Sequence, residues 1–144
     1  MPMIQIRFAP PAAHLPREAV IARTAAALAE QWLGKDPAVT AVLVEEVDPA
    51  RWFCGGESLA ESGSGAFWLD IRVTEGTNSK DEKAAFVAAT FAAMAGLLGP
   101  LHPESYVHVV EARADAYGYG GLTQERRYIA GRPAPAPQSI FSPG

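Results

Sequence analysis

Thiol and imidazole side chains, the ones most often used as nucleophiles and soft metal ligands, are scarce here, with 1 Cys and 3 His. Cys54 is the only cysteine among 144 residues. It has no partner for an internal disulfide, and one thiol cannot build a cysteine-based zinc site. That usage fits a reducing compartment. His14 and His108 have no carboxylate or hydroxyl at a spacing that would make a catalytic pair, and they read as surface or hydrogen-bonded core histidines. Glu46 and Glu111 read as residues that serve the turns after their strands.

The chain carries 12 Lys and Arg against 16 Asp and Glu, for a net charge of -4. A chain without a basic stripe grips phosphate backbones poorly, so nucleic acid is excluded as a partner. Met1–Phe8 lacks the apolar run of a signal peptide, and nowhere do about 18 apolar residues follow one another. The expectation is a cytoplasmic protein with no membrane contact.

The elements that must position any chemistry come from a repeat. A shift of 65 residues lays Ile4-Gln5-Ile6-Arg7-Phe8 on Leu69-Asp70-Ile71-Arg72-Val73 and Leu33-Gly34 on Leu98-Gly99. In the same register Val42 and Val44 meet Val107 and Val109, Glu46 meets Glu111, Trp52 meets Tyr117, and Gly55-Gly56 meets Gly120-Gly121. One register held across four elements indicates duplication.

Each copy reads as strand, helix, strand. Alternation marks 4–8 and 67–73 as half-buried strands. Val20, Ile21, Ala25, Leu28, Trp32 and Leu33 return at helical spacing over 17–33, and Gly34 closes that helix. In the second copy Thr77–Glu82 supplies capping residues and early acids, and Phe86, Val87, Phe91, Met94 and Leu98 supply a buried stripe. The segments 40–47 and 106–111 carry the β-branched residues of closing strands.

The organisation predicted is a β-α-β unit over 1–62, a second over 66–130 and a Pro-rich tail over 131–144, with Glu61–Gly65 as a flexible join. Right-handed parallel crossovers within each unit give an α+β fold, a four-stranded mixed sheet with two helices on one face. Such a sheet leaves its other face in need of cover and predicts an oligomer. Ile140-Phe141 in the tail could dock on a neighbouring chain.

A strand beginning Met1-Pro2, a long helix, a second strand and an aromatic before a Gly-Gly hairpin together resemble the tautomerase superfamily, in the fused form of 4-oxalocrotonate tautomerase. The residues that carry the resemblance are Pro2, Trp52-Phe53-Cys54-Gly55-Gly56-Glu57 and Tyr117-Gly118-Tyr119-Gly120-Gly121, within about Pro2 to Tyr128. It implies catalysis by the free amine of an N-terminal proline. An α-amino group titrates near 7.7–8.0, and an apolar pocket lowers that value towards neutrality, which suits a general acid-base. Only Pro2 qualifies, because its counterpart in the second copy is Phe67, inside the chain. Trimming of Met1 is required, since a retained Met1 locks Pro2 into an amide.

The resemblance also implies a homotrimer, no metal and no organic cofactor. The arginines that bind substrate carboxylates in the single-copy enzyme fall here near Ala12 and near Ala41 or Leu43, and the fused relatives' arginines at the second unit fall at Thr74-Glu75-Gly76-Thr77. Replacement carboxylate anchors are Arg7, Arg51 and Arg72, since a guanidinium holds a carboxylate through paired hydrogen bonds. Arg7 and Arg72 read equally as solvated strand residues. Trp52 reads as the apolar wall of the proline pocket or as packing at a subunit contact.

Three functions follow. The first is a tautomerase or isomerase acting on small enol/keto acids of the 2-hydroxymuconate or phenylenolpyruvate type. The second is a catalytically silent oligomeric binding or structural protein on the same scaffold. The third is a hydratase or decarboxylase using protonated Pro2.

Overall fold

The structure, a computed structural model, describes residues 2–11 and 17–131. Met1, the loop around Ala12 with His14, and the tail from 132 with Ile140 and Phe141 lie outside the described residues. The chain divides into one unit ending at Ala112 and another starting at Arg113.

In the first unit the order is β1 (Met3–Ala9), α1 (Glu18–Leu33), β2 (Ala41–Glu46), a small hairpin β3 (Phe53–Cys54) and β4 (Glu57–Ser58), and a single turn α2 (Leu59–Ser62). β5 (Ala66–Thr74), α3 (Lys80–Leu98) and β6 (Tyr106–Ala112) complete it. The second unit holds the hairpin β7 (Gly118–Tyr119) and β8 (Leu122–Thr123), followed by α4 (Gln124–Gly131). The strand, helix, strand and hairpin of the first 62 residues thus recur 65 positions on, as the sequence register predicts.

The four long strands form one mixed sheet in the order β2-β1-β5-β6. β1 runs parallel to β2, β5 parallel to β6, and the two central strands are antiparallel. Period-two alternation sends Ile4, Ile6 and Phe8 of β1 and Phe67, Leu69, Ile71 and Val73 of β5 into one core, each at most 1 % exposed. Ile21, Ala25, Leu28, Ala29 and Leu33 of α1 and Phe86, Met94 and Leu98 of α3 close over the same residues. Both helices therefore cover one face of the sheet. Burying each of these large side chains contributes about 1.5–3 kcal/mol relative to exposure.

Val20, Trp32 and Val87, expected in the buried stripes, are exposed. Each lies one position from a residue that is buried, because an α-helix presents only a stripe of its surface to a flat sheet. α3 starts at Ser79 with a capping box: Glu82 N–H donates to Ser79 Oγ at 3.1 Å, and Ser79 N–H donates to Glu82 Oε1 at 2.7 Å. α1 has no side-chain cap, although Arg17 Nη1 donates to the carbonyl of Leu97 on the neighbouring helix.

The join expected to be flexible is structured. Ser58 caps α2 by accepting from Glu61 N–H, and Gly63 ends it in the left-handed conformation, φ 75°. Gly65 then donates to Pro100 O and accepts from His102 N–H, at 2.9 and 2.8 Å. A Cβ on Gly65 would stand 3.0 Å from Pro11 Cδ and 3.1 Å from Ala9 O. Close backbone approach, not flexibility, requires the glycine there.

Among the described residues no helix is long and apolar enough to cross a membrane.

Candidate active site

Pro2 stands immediately before β1, buried, with its carbonyl accepting from Ala41 N–H at 3.3 Å. The first residue of β1, Met3, lies opposite Arg72 of β5. Arg72 is the sequence candidate nearest to Pro2 in register. Its guanidinium is 3.6 Å from the Asp70 carboxylate, and its side chain is 62 % exposed.

Arg7, Arg51 and Trp52 meet at the opposite end of β1. Together with Val47, Phe53 and Trp68 they line a cavity of about 300 Å³. Parallel pairing explains the grouping. β1 and β2 end side by side, with Phe8 opposite Glu46, so the chain leaving β2 must cross the end of β1 that holds Arg7. Asp48 caps the turn Pro49–Arg51 by accepting from Ala50 N–H, and this turn carries Arg51 and Trp52 to the cavity. Trp52 is half-buried and packs on a small cluster of Ala9, Leu59 and Ala66.

Arg7 is held on both sides. Its guanidinium lies 5.2 Å from the Trp68 ring centroid and 3.6 Å from Glu45. Trp68 in turn donates from Nε1 to His108 Nδ1 at 2.9 Å, and His108 stacks on Tyr106 at a centroid distance of 5.7 Å. These residues lie on the sheet face away from the helices. Three cross-strand rows form it: Glu45, Arg7, Trp68 and Tyr106; Leu43, Gln5, Asp70 and His108; Ala41, Met3, Arg72 and Val110. Met3, Leu43 and Tyr106 stand exposed on it.

The predicted residues thus form two groups. Along β1, at about 3.3 Å per residue, Arg7 lies roughly 17 Å from Pro2. Trp52 does not wall Pro2 within one chain. Sequence reasoning missed Trp68, Phe53 and Val47 as lining residues. Trp68 had no visible signal, since only antiparallel pairing of β1 with β5 sets it across from Arg7. Glu111 does not serve a turn but pairs with Lys83 of α3 at 3.1 Å. Cys54, half-buried beside the cavity's Phe53, has its thiol pushed up in pKa by burial and further by the Glu104 carboxylate.

In the second unit Asp115, Ala116, Tyr117, Gly118, Gly121, Leu122 and Thr123 line a cavity of about 280 Å³. Ala116, Tyr117 and Gly118 are the register counterparts of Arg51, Trp52 and Phe53. Asp115 is held below the usual carboxylate range by its hydrogen bonds from Arg113, then by that guanidinium's charge.

The sheet of the first unit, two β-α-β elements set antiparallel with one helix-covered face, is a fold that solved structures share. The solved structures that share it include fused 4-OT, described as a wild-type symmetric trimer, at TM-score 0.73 and 19% identity, covering 90% of this chain and 99% of that one. Pt0534 inactivated by 2-oxo-3-pentynoate matches at TM-score 0.73 and 15% identity, with 90% and 99% covered. N1, a member of the cis-3-chloroacrylic acid dehalogenase family, matches at TM-score 0.66 and 20% identity, with 90% and 92% covered. No protein-family model matches the chain. No curated protein matches it.

Proposed function

We propose that this chain is a cytoplasmic tautomerase or isomerase in which Pro2, freed by removal of Met1, shuttles a proton on small enol/keto acids of the 2-hydroxymuconate or phenylenolpyruvate type. The observation that carries the reading is the burial of Pro2 at the head of β1, with its carbonyl tied to Ala41. A secondary amine out of water there has its charged form disfavoured, so it can accept a proton near neutral pH and return it. We read 1–62 and 66–130 as tandem copies, of which only the first presents an amine.

The homotrimer belongs to the same reading. Exposed Met3, Leu43 and Tyr106 on the helix-free sheet face ask for cover, and fused 4-OT is described as a trimer. In that assembly the cluster of Arg7, Arg51 and Trp52 of one chain serves Pro2 of the next, while Arg72 is the carboxylate anchor closest to Pro2 in its own chain. Light scattering should give about three chain masses.

One observation favours a silent binding scaffold instead: Arg7 and Arg72 are already paired with Glu45 and Asp70. The deciding experiment compares untagged protein lacking Met1 with protein that retains it. Ketonisation of phenylenolpyruvate should fall about 10²–10⁴-fold when Pro2 is blocked. Equal rates refute the proline mechanism, and no activity from the trimmed form supports the scaffold. A hydratase or decarboxylase would show itself by a Pro2 amine still protonated at neutral pH.

A further inference from the structure

Cys54, His102 and Glu104 come from two segments far apart in sequence, yet a sulfur, a ring nitrogen and a carboxylate oxygen lie within 4.8 Å of one another. Two of the three donors sit on anchored backbone. Cys54 is on β3, paired with Glu57 across the hairpin, and it packs on the cluster of Ala9, Leu59 and Ala66. His102 is tied to Gly65 by its N–H, and Ser105 Oγ donates to its carbonyl at 2.9 Å while accepting from Phe67 N–H at 3.3 Å. The Glu104 amide donates to His102 Nδ1 at 3.1 Å. The β-bridge between Gly65 and Leu101 brings this loop against the strand that also supports Cys54.

We propose that Cys54, His102 and Glu104 form a metal site for a zinc-type divalent cation, with three protein ligands and a fourth position open to water. A thiolate with an imidazole and one carboxylate suits zinc or cobalt and not calcium or magnesium, which take oxygen ligands. Bonds of about 2.3 Å to sulfur and 2.0–2.2 Å to nitrogen and oxygen place tetrahedral donors somewhat under 4 Å apart, so an inward shift of about 1 Å closes the site. Nδ1 is the unprotonated nitrogen, since it accepts from the Glu104 N–H, so a metal on it takes the place of that hydrogen bond. The metal would displace the Glu104 amide, and Glu104 is an exposed residue, so that N–H can turn to water. Counting cysteines in the sequence hid this set, since it needs only one.

The site is independent of Pro2 and is tested on untagged full-length chain stripped with a chelator. Dialysis against zinc should leave one equivalent per chain by elemental analysis, and zinc should slow alkylation of Cys54, the only thiol. Titration with cobalt(II) should give a thiolate-to-cobalt charge-transfer band and the intense visible bands of a tetrahedral ion. Cys54→Ser should abolish the charge-transfer band, and His102→Ala and Glu104→Gln should each weaken binding by about 10-fold or more, on the scale by which even outer-shell changes act. His108→Gln should bind as the parent does. A cobalt complex of the parent chain without the charge-transfer band overturns the site whatever the variants do, and so does zinc stoichiometry that survives Cys54→Ser with His102→Ala.

Discussion

The antiparallel pairing of β1 with β5 sets two equivalent cross-strand pairs on the helix-free face, Arg7 opposite Trp68 and Arg72 opposite Met3. Arg7 matches Arg72 in the repeat register, and Met3 matches Trp68. The frame is the same and the chemistry is not. At the first pair an arginine stacks on indole at the edge of a cavity completed by Arg51, Trp52 and Phe53. At the second pair the arginine faces a methionine and is neutralised from its own strand, one residue-step from Pro2. The hairpin cavities diverge in the same way, with Ala116, Tyr117 and Gly118 where the first has Arg51, Trp52 and Phe53. Positions 65 apart are therefore alike in the core, as at Ile6 and Ile71, and differ around the two cavities.

The largest effect that can break this comparison lies in the core. Ile6 and Ile71 hold equivalent positions and are both 0% exposed. Ile6→Ala and Ile71→Ala should each cost about 2–5 kcal/mol, and the two values should agree within their error, because each removes the same atoms from one shared cluster. Urea unfolding of the two variants checks it. A gap of more than about 2 kcal/mol would mean that one copy dominates the core.

What the sequence made legible was what alternation and helical spacing encode. Ile4, Ile6 and Phe8 could be read as inward because a strand turns over at every residue, and the repeat predicted their buried counterparts 65 positions on, Leu69, Ile71 and Val73. The pairing of β1 with β5 could not be read, since residues far apart in sequence choose their neighbours through the whole packing. Trp68 over Arg7 was therefore hidden, and so was the separation of Pro2 from Trp52 along β1. The join was misread for a related reason. Its Ser and Gly residues suit a flexible linker, but here they cap a helical turn and admit a close backbone contact.

A smaller effect separates the two long helices. α3 has a capping box and α1 has no side-chain cap to lose. Ser79→Ala should cost about 1 kcal/mol. Glu82 is held below the usual carboxylate range, first by the Ser79 backbone hydrogen bond and then by its side chain. A carboxyl whose folded pKa is depressed stabilises the fold above its unfolded value, and that contribution is lost as pH falls through the folded value. The cost of Glu82→Gln should thus be largest at neutral pH and fade in acid, as a pH series of thermal melts will show. A cost independent of pH would mean that the Glu82 charge plays no part.

The smallest effect is the one that tests the opening contrast directly. Arg7→Ala should cost about 0.5–1 kcal/mol for the lost stacking on Trp68, with up to about 1 kcal/mol more from the exposed pair with Glu45. Arg72→Ala should lie within about 0.5 kcal/mol of no change, because it loses only an exposed pair with Asp70. Salt separates the two contributions at Arg7, since screening weakens the Glu45 pair while the guanidinium remains against the ring. Trp68→Leu in the Arg7→Ala background should then cost less than Trp68→Leu alone, and the difference is the coupling energy of the stacked pair. Trp68→Leu should leave the effect of Arg72→Ala unchanged, since Arg72 faces Met3. If Arg72→Ala proves as costly as Arg7→Ala, or couples to Trp68 as strongly, then the two ends of the central strand pair are energetically alike, and the indole is not what distinguishes them.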